Sequence, residues 1–316
     1  MTKLACNTLL TLLLLFTINS FSQDIVSPKP KNVSNWNGKN TIGFDFSEIA
    51  FMNWSSGGES SISGLFKGSF VLTYSNRNVK WVEELIVRYG VNKQDGLDLR
   101  KTDDAFRYNS TIGYRKDSTS NWYHSAKFTF NTQFTNGYKY PNREIAISRL
   151  FAPAYTFLGA GAEYSSKKKD ENLYISPITM KNTLVLDQYL ANQGAFGVAK
   201  AVYDVDGNLI YEGKKSKTEL GFLITSYLKK EIFKNIIFEN RLSLYSDYIN
   251  NFGNVDIDCN TQLNLVVNRY VRANIGAHFV YDDDIKSKEE INGVQTTVGP
   301  KLQLKQVLGV GLEYVF

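Results

Sequence analysis

Histidine, cysteine and proline are scarce in this chain: of 316 residues, two are His, two are Cys and six are Pro. His124 and His278 alone leave little material for imidazole-based catalysis or a histidine metal cluster. Cys6 lies before the apolar core of an amino-terminal signal, so loss of that signal leaves Cys259 without a disulfide partner. No later run is apolar enough for a membrane helix, which needs roughly 20 such residues. One-sided charge is missing too. The 36 Lys and Arg and 31 Asp and Glu give a net charge of +5 and lie scattered along the chain. That excludes the basic stripe of a nucleic-acid binder.

What is present is aromatic and periodic. Aromatics make up 14%, with 19 Tyr and 20 Phe, while mean hydropathy is slightly negative. Both fit a transmembrane barrel, whose lumen-facing residues dilute its lipid-facing ones. Residues 1–22 read as a secretory signal cleaved near Ser22: Lys3, then Leu9 to Phe16, then Ser20-Phe21-Ser22. Residues 23–40, with Pro28, Pro30 and Gly38, read as a periplasmic extension, and residues 41–316 as the barrel.

Period-two alternation predicts twelve strands, near 41–51, 64–74, 79–92, 105–116, 122–135, 153–164, 173–186, 218–229, 236–247, 255–267, 271–281 and 301–316. Most reach the roughly 9–11 residues that a tilted strand needs to cross a bilayer. Connections alternate between short turns and long loops, the asymmetry of an outer-membrane barrel with both ends of the chain in the periplasm. The chain ends on a strand in which Leu308, Val310, Leu312, Tyr314 and Phe316 share one face. Leu312, Tyr314 and Phe316 are the expected assembly signal, read by the barrel-assembly machinery. Tyr74, Trp81, Tyr114, Trp122, Tyr164 and Tyr174 flank the short turns, and Phe51, Trp54, Tyr89, Phe106, Tyr155, Phe222 and Tyr281 the long loops. Two such rings suit the two headgroup boundaries. The fold class is therefore all-β: a single antiparallel up-and-down transmembrane barrel of about twelve strands in the outer membrane of a Gram-negative bacterium.

Charges on the opposite parity are expected to line the lumen: Glu84, Arg88, Arg107, Arg115, Lys127, Glu219, Glu239, Arg241, Asp256, Asp258, Arg272, His278, Lys305 and Glu313. They could border an aqueous passage or pair and fill a small barrel. Other chemistry is thin. His124 adjoins Ser125, but neighbours on a strand point to opposite faces and cannot form a nucleophile–base pair. His278 precedes the run Asp282-Asp283-Asp284, which reads as an acidic loop beside a lumen histidine. Asp204-Val-Asp206-Gly-Asn208 lacks most ligands of a calcium loop and fits a β-hairpin turning at Asp206-Gly207. No cofactor, metal or catalytic residue is expected. The expected partner is outer-membrane lipid, with no nucleic acid, and oligomeric state is open.

Trp36-Asn-Gly, Gly43-Phe-Asp-Phe, Asn53-Trp54-Ser55 with Gly57-Gly58, Ser176-Pro177-Ile178 and Gly194-Ala-Phe-Gly-Val198 together resemble a family of uncharacterised bacterial outer-membrane barrel proteins, a domain of unknown function (DUF3078). The resemblance spans most of residues 30–316. It implies the barrel and its location, and carries no activity. A narrow channel or small-molecule passage leads the functional expectations. A closed barrel binding partners through its outer loops comes second, and an outer-membrane hydrolase third.

Overall fold

The computed structural model describes residues 35–50, 59–166, 170–250, 252–291 and 294–316. The expected signal, most of the extension, and Phe51, Asn53-Trp54-Ser55 and Gly57-Gly58 lie outside those residues. Twelve long strands follow the alternating pattern: β1 (Trp36–Ile49), β2 (Ser61–Ser75), β3 (Val79–Gln94), β4 (Arg100–Tyr114), β5 (Trp122–Thr132), β6 (Ala154–Ser165), β7 (Asp170–Leu184), β8 (Ser216–Phe233), β9 (Ile236–Asp247), β10 (Asp256–Val266), β11 (Val271–Tyr281) and β12 (Gln303–Val315). Each pairs antiparallel with its sequence neighbours, and β12 returns to β1 from Thr41↔Val315 to Phe46↔Val310. Asn40 and Phe316 exchange backbone hydrogen bonds of 2.9 Å each at the end of this seam. The sheet is a closed up-and-down barrel, which leaves no strand edge unpaired.

Several boundaries differ from the sequence pattern. β1 starts at Trp36, inside the stretch expected to be an extension, because Trp36 pairs with Tyr74. The Trp36 ring packs 5.2 Å from Tyr74 and 5.6 Å from Trp81. Cross-strand aromatic contact outweighs the turn tendency of Asn37 and Gly38. β8 runs on to Phe233, leaving only Lys234 and Asn235 as its turn; Asn235 takes a φ of 65°, which asparagine tolerates in tight hairpins. β3 and β4 also extend outward, so their connection shrinks to 95–99.

Residues 133–153, 185–215 and 282–302 carry structure of their own. Two-stranded hairpins join Gly137–Tyr138 to Ala146–Ser148, Val202–Tyr203 to Leu209–Tyr211, and Lys286–Ile291 to Val294–Pro300. Between β7 and β8 lies helix α1 (Gln188–Asn192), capped by the Asp187 carboxylate, which accepts from the Leu190 N–H at 2.9 Å. Ala152, Val185, Leu190, Ala191 and Val198 form a buried cluster under it, so this loop is a folded cap.

The barrel's outer face is apolar and uncovered: Phe44, Ile112, Leu158, Ile178, Leu308, Val310 and Leu312 are all exposed. A continuous belt of this kind has no protein layer against it, and a bilayer is the solvent that satisfies it. Trp36, Tyr74, Trp81, Trp122 and Tyr164 form the ring at the short turns, Trp122 and Tyr164 being 5.4 Å apart. At the other end Phe106 packs on Phe130 and Phe134. Two expected ring members belong elsewhere. Tyr174 lies directly opposite Glu163, and Tyr155 opposite Thr183, across the ladder. Directly opposed residues share a face, so both tyrosines point into the barrel. Among the described residues no helix is long and apolar enough to cross a membrane, and strands do the crossing.

Candidate functional site

The inside of the barrel holds the chemistry, and β7 shows how the sequence builds it. Tyr174 and Ser176 are buried with even numbers, and Thr179, Lys181 and Thr183 with odd ones. The switch is a bulge at Pro177, where pairing slips against β6 between Ala160 and Ala162 and against β8 between Gly221 and Leu223. Proline has no N–H to give the ladder, which favours a bulge there. The Ser176 hydroxyl lies 2.9 and 2.8 Å from the Ala160 and Ile178 carbonyls, and Thr179 donates to it at 2.7 Å. Without the bulge Lys181 would face lipid; with it, Lys181 enters the lumen.

Two ion pairs cross the lumen from wall to wall. Arg241 on β9 grips Glu84 on β3 with both guanidinium nitrogens, at 2.9 and 3.1 Å. Arg107 on β4 reaches Asp258 on β10 at 3.3 Å. In a ring of twelve strands these partners are six strands apart, on opposite walls. Bidentate arginine–carboxylate geometry makes the first the stronger link. Asp258 also takes His278 Nε2 at 2.8 Å.

These bridges divide the interior. On the side of β5 to β9 the space is filled: Phe157, Tyr174, Leu223 and Tyr245 form one cluster. Cations cover its rings, with Lys127 Nζ 5.3 Å from Tyr174, Lys181 Nζ 5.1 Å from Tyr245 and the Arg241 guanidinium 4.4 Å from Tyr227. Lys127 also donates to Thr225 at 2.8 Å, and Lys80 reaches across from β3 to Ser165 at 2.6 Å and Glu163 at 3.4 Å.

On the side of β10 to β3 the walls are polar and small. A small polar cavity is bordered by Asp45, Lys67, Arg88, Asn274, Gly276, His278 and Lys305. Its charges are paired: Lys67 with Asp45 at 2.7 Å, and Arg88 and Lys305 with Asp103 at 2.7 and 3.1 Å. Arg272 pairs with Glu313 at 2.9 Å, and Glu239 stands 3.5 Å from both Lys229 and Arg241. At the short-turn end Arg115 lies over Tyr123 and donates to the Ser120 carbonyl at 2.5 Å.

The outer rim is acidic. Glu219 meets Lys217 at 3.4 Å and Lys181 at 3.7 Å, and Asp256 meets Lys181 at 2.6 Å. Asp282 and Asp283 come against Asp256, while Asp284 pairs with Lys217. The 3-10 turn Ala195–Gly197 leans on this rim, since a Cβ at Gly197 would stand 2.9 Å from the Asp284 Cβ.

Sequence reading missed Asp45, Lys67, Lys80, Asp103, Glu163 and Lys181. The first three and Glu163 sit on readable inward parity and were findable; Asp103 lay in an expected loop, and Lys181 was hidden by the bulge. His124 is exposed on the outer face and Ser125 buried on the inner one, where it bonds Glu163 at 3.3 Å. The Asp204 carboxylate is occupied by its own turn. It accepts from the Asn208 side chain and from the Asn208 and Asp206 N–H groups at 2.7–3.0 Å, which holds its pKa below the ordinary range. The hairpin there pairs Val202 with Tyr211 around a turn with Gly207 at φ 85°.

Residues 46–138, which include β2 to β5, match the family described as "Protein of unknown function (DUF3078)", the family to which the sequence features point. No curated protein matches the chain. Among solved structures, an outer membrane channel from Pseudomonas putida F1 is similar at 10% identity and a TM-score of 0.40, covering 92% of this chain and 100% of its own. The NanC porin is similar at 11% identity and a TM-score of 0.35, covering 88% and 98%. The translocator domain of the autotransporter NalP from Neisseria meningitidis is similar at 9% identity and a TM-score of 0.34, covering 89% of each chain.

Proposed function

We propose that this protein is a narrow, non-enzymatic outer-membrane passage for ions or small polar solutes, and that the route is eccentric. It runs along β10, β11, β12, β1 and β2, beside the aromatic filling and not through the barrel axis. The observation that carries this reading is the partition made by Arg241–Glu84 and Arg107–Asp258, with apolar packing on one side and a polar cavity on the other. Paired charges on the open side present both signs to a solute, so local fields tune selectivity without strong net preference.

Gly276 offers a direct test. It borders the cavity, and a Cβ there would meet nothing closer than 3.6 Å. Its neighbour Ile275 is exposed on the outer face. Planar-bilayer recording should show small unitary steps for the wild type, a marked reduction for Gly276→Trp and no change for Ile275→Trp. Persistent silence from wild-type protein that still shifts its gel mobility on boiling overturns the reading. Silence would favour a closed barrel that binds a partner through the folded cap. That second reading draws on the hairpin at 202–211, where Val205 and Tyr211 stand exposed above the cap's buried cluster.

A further inference from the structure

Outside the passage, the outer rim gathers carboxylates at one end of the lumen. Glu219, Asp247, Asp256, Asp282, Asp283 and Asp284 gather around a small open pocket or directly against the residues that line it. Lys181 and Lys217 pair there with Glu219, Asp256, Asp282 and Asp284, and the Asn254 side chain donates to Asp283 at 2.9 Å. Ligand oxygens of Asp256, Asp282 and Asp283 all lie within 4.8 Å of one another. Two oxygens on opposite sides of a calcium ion, each at about 2.4 Å, stand about 4.8 Å apart. The three carboxylates are therefore spaced to share one ion.

A second observation is independent of that cluster. Tyr245 lines the same cavity with 3% of its surface exposed, and its hydroxyl has no hydrogen-bond partner among the described residues. Glu219 is equally buried and lines the cavity too. Its Oε2 accepts no hydrogen bond, the Lys181 ammonium being 3.7 Å away. Buried polar atoms rarely stay unsatisfied, and such a pair of groups is normally met by a bound water or ion. A donor-capable phenol and an acceptor oxygen facing one space suit the water molecules that complete a calcium shell.

We infer that this rim binds a hard divalent cation of the calcium class, held by Asp256, Asp282 and Asp283, with ligand waters bonded to Tyr245 and Glu219. The donor set is all oxygen, which selects calcium or magnesium over softer metals. Ligands drawn from β10 and a loop give the adaptable geometry that calcium accepts and magnesium does not. Lys181 does not preclude the ion. Its ammonium sits 2.6 Å from Oδ2 of Asp256 and 3.8 Å from Oδ2 of Asp282, while Oδ1 of Asp256 accepts the Asp283 N–H at 3.3 Å, and each oxygen keeps a further lone pair for a shared ion. Bound there, the ion ties the β11–β12 loop to the end of β10, directly below the Gly197 turn of the cap.

Equilibrium dialysis of the refolded full chain in detergent against radioactive calcium chloride tests this without reference to conduction. The wild type should take up one ion per barrel, with an affinity of about 0.1–1 mM, as extracellular calcium modules show. Asp282→Asn and Asp283→Asn, both in the loop outside the strands, should each weaken binding roughly tenfold or more through loss of ligand charge. Asp204→Asn, in the exposed hairpin, should bind as the wild type does. No saturable uptake by folded wild-type protein overturns the site, and so does wild-type binding by folded Asp282→Asn and Asp283→Asn. A loss confined to Asp204→Asn overturns it as well.

Discussion

Phe128 and Thr129 are adjacent on β5 and separate the two solvents of this molecule. Phe128 stands opposite Ser110 and Leu158 on the outer face, its ring 6.3 Å from Tyr108. Thr129 faces the lumen and donates to Asn109 at 3.0 Å. A lysine on the lipid face near mid-membrane costs about 2–4 kcal/mol, whereas a lumen lysine keeps its water. Phe128→Lys should therefore lower unfolding stability in lipid vesicles by that amount, and Thr129→Lys by far less. Urea titration of both variants checks it; equal losses would mean that the faces are reversed. The same pair shows what a single sequence makes legible. Alternation alone separates Phe128 from Thr129, and likewise places Glu84, Arg107, Arg241 and Asp258 on the inside. It says nothing of who meets whom. Arg241 and Glu84 are 157 positions apart, and their contact depends on the five strands between them curving into a closed ring.

At the level of the element, β7 departs most from a plain period of two. The bulge at Pro177 reverses its faces, so the outer half presents Thr179, Lys181 and Thr183 to the lumen where simple counting presents Ile178, Met180 and Asn182. Ser176-Pro177-Ile178 was visible in the sequence as a motif, but its consequence was not, because a bulge is defined against its neighbours. Those neighbours carry the matching adaptation. Gly221 on β8 lies where a Cβ would overlap the Ser246 carbonyl, and Gly161 on β6 where it would overlap the Ile175 carbonyl. Backbone cannot rotate aside as a side chain can. Gly221→Ala should then cost about 1–3 kcal/mol by overpacking, while Gly276→Ala, whose Cβ would make only ordinary van der Waals contact, should be close to neutral. Thermal unfolding in detergent, followed by loss of gel heat-modifiability, measures both. If Gly221→Ala melts with the wild type, the tight fit beside the bulge is not a constraint. The same logic explains the early start of β1: Gly38 and Asn37 read as turn residues until Tyr74 and Trp81 supply Trp36 with ring partners.

The twelve strands form a barrel whose bore is bridged, and bridging sets how it can respond to change. A twelve-stranded barrel lies between small barrels filled by side chains and wide aqueous pores, and strand number alone leaves its lumen undecided. Here the decision is made asymmetrically, by aromatic filling beside β5 to β9 and by two wall-to-wall ion pairs that hold the polar half apart from it. Removing one partner of such a pair strands its counterpart, which is costly in a sheltered site, whereas replacing both relieves that cost. The combined variant Glu84→Gln, Arg107→Gln, Arg241→Gln, Asp258→Asn keeps net charge and shortens side chains only at the two arginines while removing the ionic attraction across the bore. It should still fold, because β-ladder pairing and the Phe157–Tyr174–Tyr245 packing are untouched. Released from their partners, the long side chains can lie back against their own walls, and the narrow route should widen toward the axis. Single-channel recording is then expected to show larger and noisier unitary conductance than the wild type, with Gly276→Trp no longer sufficient to suppress it. Wild-type conductance in the quadruple variant would mean that the bridges are ornaments of a lumen whose width is set elsewhere, and the eccentric route would lose its physical basis.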